Sequence, residues 1–175
     1  MSFLDELVSG QGSALVKQLA RNFNLDESTT QAAIGQMLPA ITRGVQRNSA
    51  SSAGMGELLK VLGSGRHQRY ADDPSSLTNA DSVEDGNKIL GHVLGSKDVS
   101  RNVAGQAAAA TGLDSGVLKQ MLPMIAAAVM GMMSKQSTAV GNSGSSLNSM
   151  LASMLDADKD GSITDDLLDM AKKFF

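Results

Sequence analysis

Two short motifs occur twice along the chain, and their repetition constrains the fold more than any other feature of the sequence. The pair LD at 25–26 returns at 113–114, and the tetrapeptide QMLP at 36–39 returns at 120–123. The offset is 88 residues from 25 to 113 and 84 residues from 36 to 120. Because this difference is close to one helical turn, both copies can keep the same apolar face. The sequence therefore predicts two related helical units.

Each copy has the pattern of a helical hairpin, in which a short amphipathic helix is followed by a longer one. A polar break separates the two helices at 24–26 in the first copy and at 111–114 in the second. Asp26 and Asp114 are natural N-caps for the longer helices, because a carboxylate accepts hydrogen bonds from their free N–H groups. The apolar positions are Leu15, Leu19, Phe23, Ile34, Met37, Leu38, Ile41 and Val45 in the first copy, and Val103, Val117, Leu118, Met121, Leu122, Ile125, Val129 and Met132 in the second.

Two of the three prolines, Pro39 and Pro123, occupy the same place in the two copies, inside apolar helical patterns. Proline removes a backbone hydrogen bond, so we expect a kink in each long helix. The stretch after Pro123 is apolar on nearly all sides, which predicts that it forms the centre of a bundle. Short helices are expected at 55–62 and 83–94, with a polar loop at 63–81 between them. No segment alternates like a strand, so the predicted fold class is all-α.

Composition limits the classes of protein to which this chain can belong. With 175 residues, 42% hydrophobic and 19% charged, it suits one globular unit with a small appendage. The absence of cysteine excludes disulfides, thiol catalysis and thiolate metal sites. Residues 1–20 show no signal-peptide pattern, and the longest apolar stretch, Met121 to Met133, is short for a bilayer span. We therefore expect a cytoplasmic protein without a membrane span.

A run rich in Ser and Gly at 137–146 has the composition of a linker. It divides the chain into a helical repeat body at 1–136 and a C-terminal piece at 147–175. In that piece, apolar residues at helical spacing precede and follow an acidic stretch, which predicts a helix-loop-helix. About thirty residues bury little core alone, so its apolar stripes must pack together, on the body or on a partner.

The acidic stretch has the ligand spacing of a calcium-binding loop. Asp156, Asp158 and Asp160 match positions 1, 3 and 5 of the twelve-residue helix-loop-helix template. Gly161 provides the turn at position 6, and Ser162 offers its carbonyl oxygen at position 7. The acidic side chains would repel one another in a closed loop, so a bound cation is the favoured interpretation. The predicted cofactor is weakly bound Ca²⁺.

One position departs from the template and leaves a second interpretation open. Position 12 requires a bidentate Glu and holds Leu167, while Asp166 lies one residue early and substitutes only if the following helix shifts. The predicted dissociation constant is therefore high, at about 10⁻⁴–10⁻³ M. In the alternative, Ser162 or Thr164 caps the last helix, and Asp165 and Asp166 lie in its first turn, where the helix dipole favours carboxylates.

The order of these motifs is similar to that of a bacterial family. The repeated QMLP, the segment ILGHVLG at 89–95 and the acidic stretch that runs into DDLL at 165–168 resemble YidB-like proteins, known as domain of unknown function 937. The resemblance extends from the first helix to Phe175. It implies an all-helical bacterial protein with no assigned activity, and it supplies no catalytic residues.

Two functional classes fit the sequence, and neither is an enzyme. His67 and His92 have no Asp, Ser or Glu neighbour at a spacing that builds a catalytic triad or a metal site. We therefore expect a non-enzymatic interaction or scaffolding protein that binds a protein partner or a second copy of itself.

The alternative is a DNA-binding protein, because residues 19–30 resemble part of a helix-turn-helix within the segment 15–47. The net charge of −3 disfavours this alternative. So does the lack of a cation at 27–31, the residues that would face the DNA groove. The phosphate contacts would have to come from Lys17, Arg21, Arg43 and Arg47.

We expect millimolar calcium to bind at Asp156, Asp158 and Asp160 and to stabilise the C-terminal helices. In calorimetry, Asp160→Ala should abolish the heat of binding, whereas Leu167→Glu should raise the affinity because it supplies the missing bidentate ligand. Magnesium should bind more weakly, since it demands a tighter octahedral shell. If calcium produces no heat with either the unchanged protein or the Leu167→Glu variant, the stretch is an acidic helix cap.

Overall fold

The structure, a computed structural model, describes residues 12–139. In this part of the chain, 86% of the residues are helical and no strand is present, which confirms the predicted all-α bundle. A 3₁₀ turn at Pro74–Thr78 lies between the fourth and fifth helices. The α-helices are α1 (Gly12–Phe23), α2 (Glu27–Ser49), α3 (Ser52–Gly63), α4 (Arg69–Asp72), α5 (Ala80–Leu94), α6 (Lys97–Thr111) and α7 (Ser115–Ala139).

The long helices α2 and α7 are each preceded by a residue with left-handed backbone and then by an N-cap aspartate. Asn24 has a φ of 53° and Gly112 a φ of 73°, and the preceding helices end at these two residues. Asp26 accepts a hydrogen bond from the backbone N–H three residues later at 2.8 Å. Asp114 accepts one from the N–H two residues later at 2.7 Å. Both predicted N-caps are confirmed.

Helix α7 is the centre of the bundle, as its sequence predicts. Every residue from Met121 to Gly131 is buried, and α2, α3, α4, α5 and α6 all pack against this helix. Between Ser115 and Ser137, α7 has the length and composition of a membrane-spanning helix, but 78% of its most apolar window lies inside the bundle. The core helix of a bundle must be equally apolar, so α7 is weak support for a membrane span.

Helices α5 and α7 meet at Pro123. Gly86 of α5 lies directly against the backbone carbonyl of Pro123, and a Cβ at position 86 would overlap that oxygen. Pro123 is buried, whereas Pro39, which has the same place in α2, is exposed. Both helices run through their prolines without a break. Only Pro123 therefore takes part in the packing of one helix on another.

The segment 63–81 is not the polar loop that the sequence predicts. The short helix α4 and the 3₁₀ turn occupy much of it. Tyr70 and Leu77 are only 1% and 0% exposed, and they anchor these two short elements on the core. Asp73 caps the 3₁₀ turn by accepting a hydrogen bond from the N–H of Ser75 at 3.0 Å. The prediction failed because two apolar anchors were hidden in a run that is otherwise polar.

We expect Gly86→Ala to lower the free energy of unfolding by roughly 1–3 kcal/mol, because the added methyl group must move α5 away from α7. Gly91→Ala is the matched control on the same helix, since Gly91 is exposed and has no atom near its Cβ position. The control should stabilise the protein by up to about 1 kcal/mol through helix propensity. Urea unfolding measures both effects, and similar values for the two variants would contradict the close contact at Pro123.

Candidate functional site

The residues predicted to bind calcium lie outside the part of the chain that the structure describes. They are Asp156, Asp158, Asp160, Ser162 and Asp166. Within residues 12–139, no group of three or more His, Asp or Glu side chains could hold a metal ion. The calcium site therefore stays a prediction from the sequence.

A cluster of titratable side chains lies where α4 meets α5. We call it the Tyr70 cluster, and it consists of His67, Arg69, Tyr70 and Asp85. The hydroxyl of Tyr70 donates a hydrogen bond to Oδ2 of Asp85 at 2.6 Å and accepts one from Nη2 of Arg69 at 2.7 Å. Nη2 of Arg69 also lies 3.4 Å from Oδ2 of Asp85. Tyrosine, guanidinium and carboxylate thus form a closed triangle of polar contacts.

Helix α7 holds the α4 side of this cluster in place. A Cβ built at Gly131 would lie 2.8 Å from the carbonyl oxygen of His67 and 3.0 Å from the nitrogen of Ala71, so α4 rests directly on the backbone of α7. Nearby, Nζ of Lys135 forms an ion pair with Asp72 at 2.8 Å. These contacts fix α4 against α7, and the bond between the tyrosine and Asp85 then joins α4 to α5.

His67 packs beside the tyrosine ring without a hydrogen bond at Nδ1. The two ring centroids are 5.9 Å apart with an angle of 55° between the ring planes. Nδ1 of His67 is buried and has no partner. Burial lowers the pKa of His67; the negative charge of Asp85 opposes this shift, and Arg66 and Arg69 add to it. The neutral ring is therefore favoured at pH 7.

The geometry of the Tyr70 cluster suits a structural role. Tyr70 is 1% exposed, and its hydroxyl already has one hydrogen-bond donor and one acceptor within the protein. A substrate would have to displace these partners to reach the hydroxyl oxygen. Sequence reasoning missed this cluster, although one feature pointed to it. Tyr70 is the single tyrosine of a chain with 3% aromatic residues, and it lies in a polar run.

The helices of the DNA-binding alternative are present as α1 and α2, but the start of α2 is acidic. Asp26 and Glu27 lie where the helix would enter a groove. Thr30 is 0% exposed, and its hydroxyl donates a hydrogen bond to the carbonyl of Asp26 at 2.9 Å. Arg43 and Arg47 are exposed but lie about 24–30 Å along α2 from its first residue. Arg43 and Arg47 are therefore distant from the end of α2 that would read bases, whereas Arg21, in the last turn of α1, precedes that end by six residues.

We expect the protein to lose stability as the pH falls below 6.5, the ordinary pKa of histidine. Because burial lowers the pKa of His67 in the folded state, the unfolded chain binds the proton more tightly in this range. His67→Phe keeps a ring beside Tyr70 and should flatten the dependence of unfolding free energy on pH. His92→Gln, which removes the exposed histidine of α5, is the matched control. Urea unfolding between about pH 5 and 8 measures this dependence. If the unfolding free energy varies equally with pH in the unchanged protein and in His67→Phe, His67 is not the cause of the loss of stability.

Comparison with known proteins places the helical body within a family. The family model described as "Bacterial protein of unknown function (DUF937)" matches residues 5–136. No curated protein and no solved structure matches the chain. The matched residues include α1 to α6 and all but the last turn of α7. The chain therefore belongs to this bacterial family of unknown function, DUF937.

Proposed function

We propose that the protein is a non-catalytic helical interaction protein that binds a protein partner or a second copy of itself, and that its C-terminal loop binds calcium weakly. The observation that carries this proposal is the apolar side of α3. Its five large apolar side chains, which we call the α3 face, are Met55, Leu58, Leu59, Val61 and Leu62. Leu62 is 0% exposed, whereas the other four are only half-buried.

The α3 face is wider than the core that covers it. At about 100° per residue, its five side chains spread over an arc of about 160° around the helix. Helix α3 packs mainly against α2 and α7, and these two neighbours bury the middle of the arc, where Leu62 lies. An apolar helix face with uncovered edges is typical of a surface that receives another helix. The large aliphatic side chains of α2, in contrast, are all buried: Ile34, Met37, Leu38, Ile41 and Val45.

The DNA-binding alternative has one observation in its favour. Arg43 and Arg47 are exposed one turn apart on α2, as phosphate-binding side chains would be. The acidic start of α2 counts against it, because Asp26 and Glu27 would face the phosphates first. Sub-micromolar binding to duplex DNA that weakens with salt and with Arg43→Ala would replace the proposed function by this alternative.

Cross-linking in the cell tests the proposed function on the full chain. A photo-reactive amino acid in place of Leu58 should yield adducts heavier than a single chain, because this position lies on the α3 face. The same amino acid in place of Lys119 is the matched control, since Lys119 is an exposed polar residue of α7. We expect at least about tenfold more adduct at position 58, in line with the area dependence of apolar association. Equal yields at the two positions would contradict an interaction through α3.

A further inference from the structure

We propose that the chain's own C-terminal segment, residues 147–155, covers the α3 face. This inference rests on the proposed function, because it names the segment that binds the α3 face when no partner is bound there. Apolar residues in the segment recur at the spacing i, i+3, i+4, i+7 and i+8, which predicts a helix with one apolar side. They are Leu147, Met150, Leu151, Met154 and Leu155. A helix of nine residues cannot bury this side alone, so it needs a surface to cover it.

The position of α3 brings its face close to the origin of the C-terminal segment. The hydroxyl of Ser134 in α7 donates a hydrogen bond to the carbonyl of Leu62, near the end of α3, at 3.1 Å. Ser134 is 0% exposed, so this bond joins the two helices inside the protein. Ala139, the last described residue, follows five residues later, about 7.5 Å further along the axis of α7. The chain therefore leaves the described body beside the end of α3.

The length of the intervening chain allows the segment to reach the whole α3 face. Eight residue steps separate Ala139 from Leu147, and a chain of that length spans at most about 26–29 Å. Helix α3 has 12 residues and is about 18 Å long. A tether of only this length gives the segment an effective concentration of about millimolar. Even weak docking would therefore keep the face covered for much of the time.

Charge complementarity favours this occupant. The described residues 12–139 hold 12 Lys+Arg and 10 Asp+Glu, a net charge of +2, whereas residues 140–175 hold 3 and 6, a net charge of −3. Exposed cations lie near the start of α3 and just beyond its end, at Arg47 and Arg66. Within the described part of the chain, neither of them forms an ion pair. The acidic loop follows the apolar stripe directly, so docking in either direction brings its carboxylates to one of these cations.

The side chains on the two surfaces also suit each other. The α3 face contains one methionine, Met55, and the segment contains two, Met150 and Met154. Methionine is unbranched and flexible, so it fills irregular gaps between helices that are not held in one fixed geometry. A segment packed in this way can exchange with a partner that binds the same face.

Paired cysteines test the docking in the full chain, which contains no cysteine of its own. In the double variant Leu58→Cys/Leu151→Cys, mild oxidation should form a disulfide within one chain, because docking brings the two positions together. The control pair is Lys119→Cys/Leu151→Cys, whose first cysteine is exposed on the other end of α7. We expect the 58–151 disulfide to form at least about tenfold faster than the control disulfide, in line with the gain in effective concentration on docking. Peptide mapping and the mass of the intact product identify the bond.

Three results of this experiment would overturn the docking. Equal rates for the two pairs would show that the segment does not prefer the α3 face. A 58–151 disulfide between two chains would assign the face to a second copy. Faster closure of Leu58→Cys with Leu7→Cys than with Leu151→Cys would assign it to the N-terminal residues. If the two rates are equal, or if closure with Leu7→Cys is faster, the proposed function is still supported by adducts of other proteins at position 58 in the cellular cross-linking.

A cysteine at position 58 could itself disturb the packing of α3. A second test therefore changes only the C-terminal segment. Leu151→Asp changes only the segment, so it should raise amide hydrogen exchange at 55–62 several-fold and leave exchange at 99–106 in α6 unchanged. Leu151→Asn, which is polar but uncharged, should act in the same direction. Unchanged exchange at 55–62 in both variants would overturn the docking. Docking without cellular adducts at position 58 would instead contradict the proposed function alone.

Discussion

The burial of α7 on all its sides is the constraint on which the rest of the bundle depends. A helix with one apolar stripe needs neighbours on one side only, whereas α7 has no exposed residue from Met121 to Gly131 and needs neighbours all round. Small residues make this possible, because the alanines at 126–128 and Gly131 do not hold the neighbours at a distance. Each close approach also fixes the neighbour, since a tightly packed contact tolerates no added atom.

The Tyr70 cluster follows from this packing. Gly86 lets α5 rest on the carbonyl of Pro123, and Gly131 lets α4 rest on α7 about 12 Å further along the same helix. Because α4 and α5 both lie close to the backbone of α7, the hydroxyl of Tyr70 reaches Asp85 at 2.6 Å. Removal of the Asp85 carboxylate would leave the O–H of the buried Tyr70 without its acceptor, which costs more than the bond itself contributes. The cluster therefore joins α4 to α5. Its composition alone does not indicate a reaction centre.

The parts of the fold that could be predicted from the sequence are those with local determinants. The junctions before α2 and α7 were predictable because Asp26 and Asp114 cap helices by hydrogen bonds within three residues. The central place of α7 was predictable because its apolar residues surround the helix. Tyr70 was missed because its burial depends on α7, about sixty residues away in sequence, which no local pattern reports. The uncovered edges of α3 were missed for the same reason, since a sequence shows apolar residues but not how many neighbours cover them.

The two proposals for the C-terminal piece are linked by charge. Calcium bound at Asp156, Asp158 and Asp160 would neutralise carboxylates that, in the docked segment, face the cations around α3. By thermodynamic reciprocity, if calcium weakens docking, then docking weakens calcium binding by the same factor. A partner protein that displaces the segment from the α3 face would then raise the calcium affinity of the loop. A loop that lacks its bidentate ligand and binds calcium weakly in the free protein could in this way be filled when the α3 face is occupied by a partner.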